Sequence, residues 1–240
     1  MEIVRFLDLG KADYQQTWDL QQDLLRACVD VKMRNRNRPE NDPNPPEIAP
    51  HHLIFVEHPP VFTLGRSGSM DNLRISDGEM AGRGIQFFPI NRGGDITYHG
   101  PGQLVGYPIL DLERFFTDVH KYVRSIEEIF IRVCADFGIV AGRIEGLTGV
   151  WIEGQGRPKK RKICAIGVHL SRWVTLHGWA FNVATDLGFF EHIIPCGIED
   201  ADKTVTSLEA ELGTKVDVEH VKLLTKRHFC AIFGCELIDL

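Results

Sequence analysis

Three short segments of the 240-residue chain combine residue types that can do chemistry. In Ile193-Ile194-Pro195-Cys196-Gly197-Ile198 a cysteine stands between a proline that fixes the backbone before it and a glycine that leaves the following amide unshielded. That setting suits a thiol nucleophile approached by a carbonyl; the other reading is a loop cysteine of no consequence. Lys162 opens an otherwise apolar stretch, Lys162-Ile163-Cys164-Ala165-Ile166-Gly167-Val168-His169. A lysine there either snorkels to solvent, the commoner case, or is desolvated for acid/base work. In Arg92-Gly93-Gly94-Asp95-Ile96-Thr97-Tyr98-His99-Gly100-Pro101-Gly102-Gln103, glycines are interleaved with polar side chains. Such a segment lets backbone approach a ligand closely, or it is a bulged strand pair at a sheet edge.

These segments need elements to position them. Tyr14 to about Val31 has helical periodicity, with Tyr14, Trp18, Leu24, Leu25, Cys28 and Val31 roughly on one face. Residues 33–50 are polar, proline-rich and aperiodic, which predicts an exposed loop insertion. Short strands follow at His52–Glu57, Val61–Leu64 and Ile85–Ile90, and a further strand at Leu104–Leu110. The stripe Val119, Tyr122, Val123, Ile126, Ile129, Phe130, Val133, Cys134, Phe137 predicts a helix over 118–137, capped by Thr117 or Asp118 and closed by Gly138. Residues 147–183 read as a strand meander with a tight turn at Ser171-Arg172, and Val218–Phe233 reads as a last helix ended by Gly234. The expectation is one α/β (α+β) domain over residues 1–240, with a mixed, mostly antiparallel sheet flanked by helices.

Composition removes several function classes. A net charge of −6 argues against a nucleic-acid binder, which usually carries a basic face and a basic total. The one dense basic cluster is Arg157, Lys159, Lys160, Arg161 and Lys162. No apolar run approaches membrane-spanning length, and the N-terminal MEIVRFLDLGKADY does not read as a signal peptide, so a cytoplasmic protein with reduced thiols is expected. The six cysteines show no CxxC spacing; Cys28 and Cys134 fall on apolar helical faces, Cys164 in mid-strand, and Cys230 and Cys235 at the end of the last helix without sharing a face, while Cys196 sits in a Pro-Cys-Gly turn. Walker A, G-x-G-x-x-G after a strand, H-E-x-x-H and G-x-S-x-G are all absent, and no metal site is expected.

Taken together the motifs are more specific. Arg92-Gly93-Gly94-x-x-Thr97-Tyr98-His99-x-x-Gly102-Gln103-x-x-x-Tyr107 resembles the signature of the lipoyl(octanoyl) transferases. Thr148-Gly149-Val150-Trp151, Lys162-Ile163 with Ala165-Ile166-Gly167, His177-Gly178 with Asn182, and Pro195-Cys196-Gly197-Ile198 follow in that family's order, over about Leu53 to Leu212. The resemblance implies a fold shared with biotin and lipoate protein ligases. It also implies an acyltransferase that carries an octanoyl group from octanoyl-acyl carrier protein to a lysine of a lipoyl domain, in 2-oxoacid dehydrogenase complexes or the glycine cleavage H protein. By the same resemblance Cys196 is the nucleophile and Lys162 its partner. Arg92, Gly93, Gly94, Asp95, Ile96, Thr97, Tyr98, His99, Ala165, Ile166, Gly167, Gly178, Trp179 and Ala180 would wall the acyl pocket. A thioester donor is already activated, so no cofactor is expected. The basic loop at 157–161 either docks the acidic donor or is a solvated hairpin tip. Two alternatives remain: an ATP-dependent lipoate or biotin ligase, which needs no nucleophilic cysteine, and a non-catalytic module that binds acyl groups or lipoyl domains.

Overall fold

The computed structural model describes residues 1–154, 156–195 and 202–240. In chain order the elements are β1 (Glu2–Lys11), α1 (Tyr14–Arg36), β2 (His51–Glu57), β3 (Val61–Leu64), α2 (Asp77–Gly82), β4 (Gln86–Pro89), β5 (Ile96–His99) and β6 (Gln103–Ile109). Then come α3 (Val119–Asp136), β7 (Val150–Ile152), β8 (Lys160–Ser171), β9 (Val174–Asn182), β10 (Lys203–Val205), α4 (Leu208–Leu212), α5 (Val218–Phe233) and β11 (Cys235–Asp239).

The main sheet runs β10-β8-β9-β6-β2-β1-β11, with β7 on β8. Four of its pairings are antiparallel (β2–β6, β6–β9, β7–β8, β8–β9). Three are parallel (β1–β11, β1–β2, β10–β8), so the sheet is mixed as expected. A small second sheet, β4-β3-β5, was not anticipated as a separate layer.

Helices cover both faces of the main sheet. On one side α3 and α5 bury Tyr122, Ile126, Phe130, Val133, Val221 and Phe229 against Leu53, Phe55, Ile163, Cys164, Trp179 and Phe181. On the other, α1 packs Leu25, Cys28 and Val31 over Ile109, Val174 and Leu176. Burial from both sides explains why every residue of β6 and β9 is buried and why an alternating pattern is not what β9 needs. Asp118 caps α3 by accepting the Lys121 amide at 2.9 Å, and Gly138 follows its end at φ 72°.

The predicted α1 stops too early. The helix continues through Arg36, so the exposed segment begins at Asn37 rather than at residue 33. Arg34 and Asn35, expected in the loop, are helical and bind Glu47. Strands β1 and β11 were not anticipated; they pair with each other in parallel at one edge of the sheet. No helix among the described residues is long and apolar enough to cross a membrane.

Candidate active site

A cavity of about 330 Å³ opens between the two sheets, within the lower range of small-molecule pockets. Strand β8 supplies one wall. Lys162, Ala165, Ile166, Gly167 and Val168 all border the space. The turn Arg92-Gly93-Gly94 also borders it, tied to β8 by the Gly93 amide donating to the Val168 carbonyl at 2.9 Å. The contact is close: a Cβ at Gly167 would lie 2.9 Å from the Gly93 oxygen. Arg92 does not reach for solvent. Its guanidinium is buried and donates to the Thr63 carbonyl at 2.6 Å, the Thr63 hydroxyl at 3.0 Å and the Gly93 carbonyl at 3.1 Å, which fixes the turn on β3.

One side of the cavity is polar, bordered by His99, Gln103 and Asn182. His99 Nδ1 donates to Gln103 Oε1 at 2.9 Å, Gln103 Nε2 donates to Asn182 Oδ1 at 2.9 Å, and Asn182 Nδ2 donates to the Thr206 carbonyl at 2.9 Å. The Thr206 amide in turn donates to the Lys162 carbonyl at 2.9 Å, so the line ends on the lysine's own backbone. Behind it, Tyr107 donates its hydroxyl to His58 Nε2 at 2.8 Å while His58 Nδ1 donates to the Ala12 carbonyl at 2.9 Å. His177 closes another side, its Nε2 donating to Asn91 Oδ1 at 2.8 Å and its amide to Gln21 Oε1 at 3.1 Å. Its φ of 59° is a left-handed value that a β-carbon disfavours, and these two bonds hold it there. Burial, above all, lowers the imidazoles: His58 to about 4, His99 and His177 to about 3. All three are neutral at physiological pH.

Of the residues expected to wall the pocket, Arg92, Gly93, Gly94, Asp95, Ile96, Thr97, His99, Ala165, Ile166, Gly167, Gly178, Trp179 and Ala180 border the cavity. Tyr98 does not. The two-residue period of β5 turns it away from Thr97 and His99, into the small sheet's core, where it stacks on Phe189 at 4.6 Å between centroids. Trp179 contributes at the margin, since its ring belongs to the main core against Phe130 at 5.3 Å. Residues not singled out as pocket walls also take part: Tyr14, Val123, Leu147, Thr148, Phe190 and Val205. Their signal was diluted across α1, α3 and loops, each of which looked like ordinary core or turn.

Cys196 lies outside the described residues. Its chain neighbour Pro195 lines the same cavity as Lys162. The flanks of the 196–201 segment are well tied. Before it, the Ile194 amide donates to the Asn72 carbonyl at 2.8 Å. After it, the Lys160 amide donates to the Asp202 carbonyl at 2.8 Å and β10 pairs with residues 160–162 of β8. The Lys162 ammonium sits 5.0 Å from the centroid of the Trp151 ring. The remaining thiols are poor nucleophiles: burial raises Cys28, Cys134 and Cys235 to about 12, raises Cys164 well above the normal range, and raises the half-buried Cys230. In the basic cluster Arg161 is buried and joins Arg157 on Glu211, at 2.8 and 3.3 Å. Arg161 is thus held inward, whereas Arg157 stays exposed and Lys160 pairs with Glu153 at 3.4 Å.

The arrangement of two sheets around a cavity is shared with solved lipoate-protein ligases. A bipartite lipoate protein ligase from Thermoplasma acidophilum superposes with a TM-score of 0.68 at 17% identity, over 100% of this chain and 87% of that one. An ATP-bound lipoate-protein ligase A gives 0.66 at 18% identity, over 100% and 89%. Residues 13–230 match the lipoyl protein ligase A/B catalytic domain, and the chain belongs to that family. Among curated relatives, the octanoyltransferase of Flavobacterium psychrophilum is 52% identical over 98% of each chain. That of Cytophaga hutchinsonii is 55% identical over 94% of this chain and 91% of its own.

Proposed function

We propose that this protein is an octanoyltransferase of protein lipoylation, working through an acyl-thioester on Cys196 with Lys162 as the proton carrier. The observation that carries the reading is that Lys162 and Pro195 line one cavity, the cavity walled by the Arg92–His99 segment and by Gly167. In the first half-reaction the Cys196 thiolate attacks the thioester carbonyl of octanoyl-acyl carrier protein. The carrier's thiol leaves, and the octanoyl group stays on sulfur. An unperturbed cysteine is only a few per cent thiolate at neutral pH, so a lysine in reach assists either as an ammonium beside the thiolate or as an amine that takes the thiol proton. In the second half-reaction the lysine amine of a lipoyl domain attacks the Cys196 thioester. Lys162 accepts the proton released as the amide forms, and the Cys196 thiolate is regenerated. The two groups titrate as a pair.

The acceptors are lipoyl domains, those of 2-oxoacid dehydrogenase complexes and of the glycine cleavage H protein. Residues 1–240 act as one catalytic domain, in the reducing cytoplasm that a free thiol requires. A thioester donor supplies its own driving force, so no nucleotide is consumed. The test is Cys196→Ala, assayed with octanoyl-acyl carrier protein and, separately, with ATP plus free lipoate. Loss of the first activity, with none gained or retained in the second, is expected. Robust ATP-dependent ligation by the variant would replace this reading with that of a ligase.

A further inference from the structure

Helix α3 carries a carboxylate with no exposure to solvent. One oxygen of Glu127 accepts from Arg124 Nη1 at 2.7 Å and from Arg143 Nε at 2.9 Å, and the other accepts the Gly149 amide at 3.0 Å. Burying a carboxylate is unfavourable unless such partners are held in good geometry. What this cluster holds is the approach to β7. Gly146, Leu147 and Thr148 of that approach border the cavity.

Gly149 itself meets Lys162. Its φ of 120° is one that side chains avoid, and a Cβ there would lie 2.7 Å from Lys162 Cε and 2.6 Å from the Cys164 carbonyl oxygen. The Trp151 ring also contacts the lysine, 5.0 Å from Nζ to its centroid. Lys162 therefore runs through a slot formed by an indole and a bare stretch of backbone. We propose that Glu127 is a positioning residue: by fixing the Gly149 amide it holds the slot that directs the Lys162 ammonium into the cavity. The inference rests on the reading of Lys162 as the proton carrier for Cys196. Without the anchor the 149 peptide is free to move, and the lysine loses the wall that restricts its rotamers.

The experiment compares Lys162→Ala, Gly149→Ala and their double variant, with Glu127→Ala added. The readouts are kcat and KM for octanoyl transfer, and the pH profile of Cys196 alkylation read by peptide mass. Thermal melting identifies any variant that does not fold. Because Glu127→Ala leaves Arg124, Arg143 and the Gly149 amide without the buried carboxylate they share, it can fail to fold; Gly149→Ala reaches the slot while keeping that carboxylate and both arginines. Loss of a positioned proton carrier costs about 10²–10⁴-fold, so Gly149→Ala should lower kcat by at least roughly tenfold with KM little changed. It should also move the alkylation profile toward that of Lys162→Ala, and it should add nothing further in the Lys162→Ala background. A folded Gly149→Ala enzyme with the wild-type alkylation profile, or a loss that adds fully to that of Lys162→Ala, overturns the slot. If Lys162→Ala alone changes neither rate nor profile, the reading of Lys162 falls, and the positioning role falls with it.

Discussion

Taking the protein from pH 7.5 to pH 5.5 should remove several kilocalories of stability, because four buried imidazoles refuse protons that the unfolded chain accepts. His52 and His58 are depressed to about 4, His99 and His177 to about 3, with burial the leading cause in each. All four are at most 7% exposed. A depressed imidazole contributes stability that is complete above the unfolded pKa near 6.5 and is lost as pH falls from there toward the folded value. At pH 5.5 an unfolded histidine gains about 1.4 kcal/mol from protonation that the folded one does not. Four groups therefore cost roughly 5 kcal/mol, a large part of the about 5–15 kcal/mol typical of a domain. The result is insensitive to how far below 5 the folded values lie. Paired carboxylates such as Glu2 and Glu211 do not compete, since their own losses begin nearer pH 4. The assay is urea unfolding at the two pH values, followed by tryptophan fluorescence and extrapolated with a common slope. His99→Gln should shrink the pH-dependent fall by about a quarter, as one of four groups is removed. A total fall below about 1.5 kcal/mol, one group's worth, would refute the account of four buried, neutral imidazoles.

Two further outcomes follow from packing. A Cβ at Gly106 would stand 2.1 Å from the Trp179 ring, which is boxed by Phe55, Phe130 and Phe229. Gly106→Ala should thus cost near the upper end of the ~1–3 kcal/mol of overpacking, with Trp179→Phe in the same chain recovering at least ~1 kcal/mol; strict additivity of the two in denaturant unfolding contradicts the contact. Acyl length is the second. Each buried methylene is worth only about 0.8 kcal/mol, or about fourfold in affinity, so sharp selectivity requires a wall that stops the acyl chain. Octanoyl carrier protein should acylate the enzyme at least about tenfold faster than the palmitoyl form, and equal rates would show that no such wall acts.

The parts of the fold that could be read from the chain are those whose neighbours lie close in sequence. Helix α3 announced itself by an unbroken apolar stripe and by Asp118 and Gly138 at its ends, and α5 by Gly234. Strand β1 was not legible because it buries only Val4 and Phe6, and its partner β11 lies at the far end of the chain. Helix α1 outran its apolar face because Arg34 and Asn35 find Glu47 across the loop, a contact no periodicity encodes. At the site, the glycine segment and Lys162 were recognisable as motifs, and the fold brings them to the lining of one cavity. Tyr98 was misplaced because a motif read as a continuous string ignores the alternation of β5, which sends consecutive side chains to opposite faces. Glu127 gave no signal at all: on a helix rich in charge it resembled an ordinary partner for Arg124, and only the fold brings it to Gly149.

The central claim concerns one sulfur atom. Intact mass after incubation with octanoyl-acyl carrier protein alone, followed by peptide mapping, tests it most directly. One octanoyl group per chain, located on Cys196 and discharged when a lipoyl domain is added, is the result predicted. No adduct, an adduct on any other cysteine, or an adduct that a lipoyl domain does not discharge would contradict it.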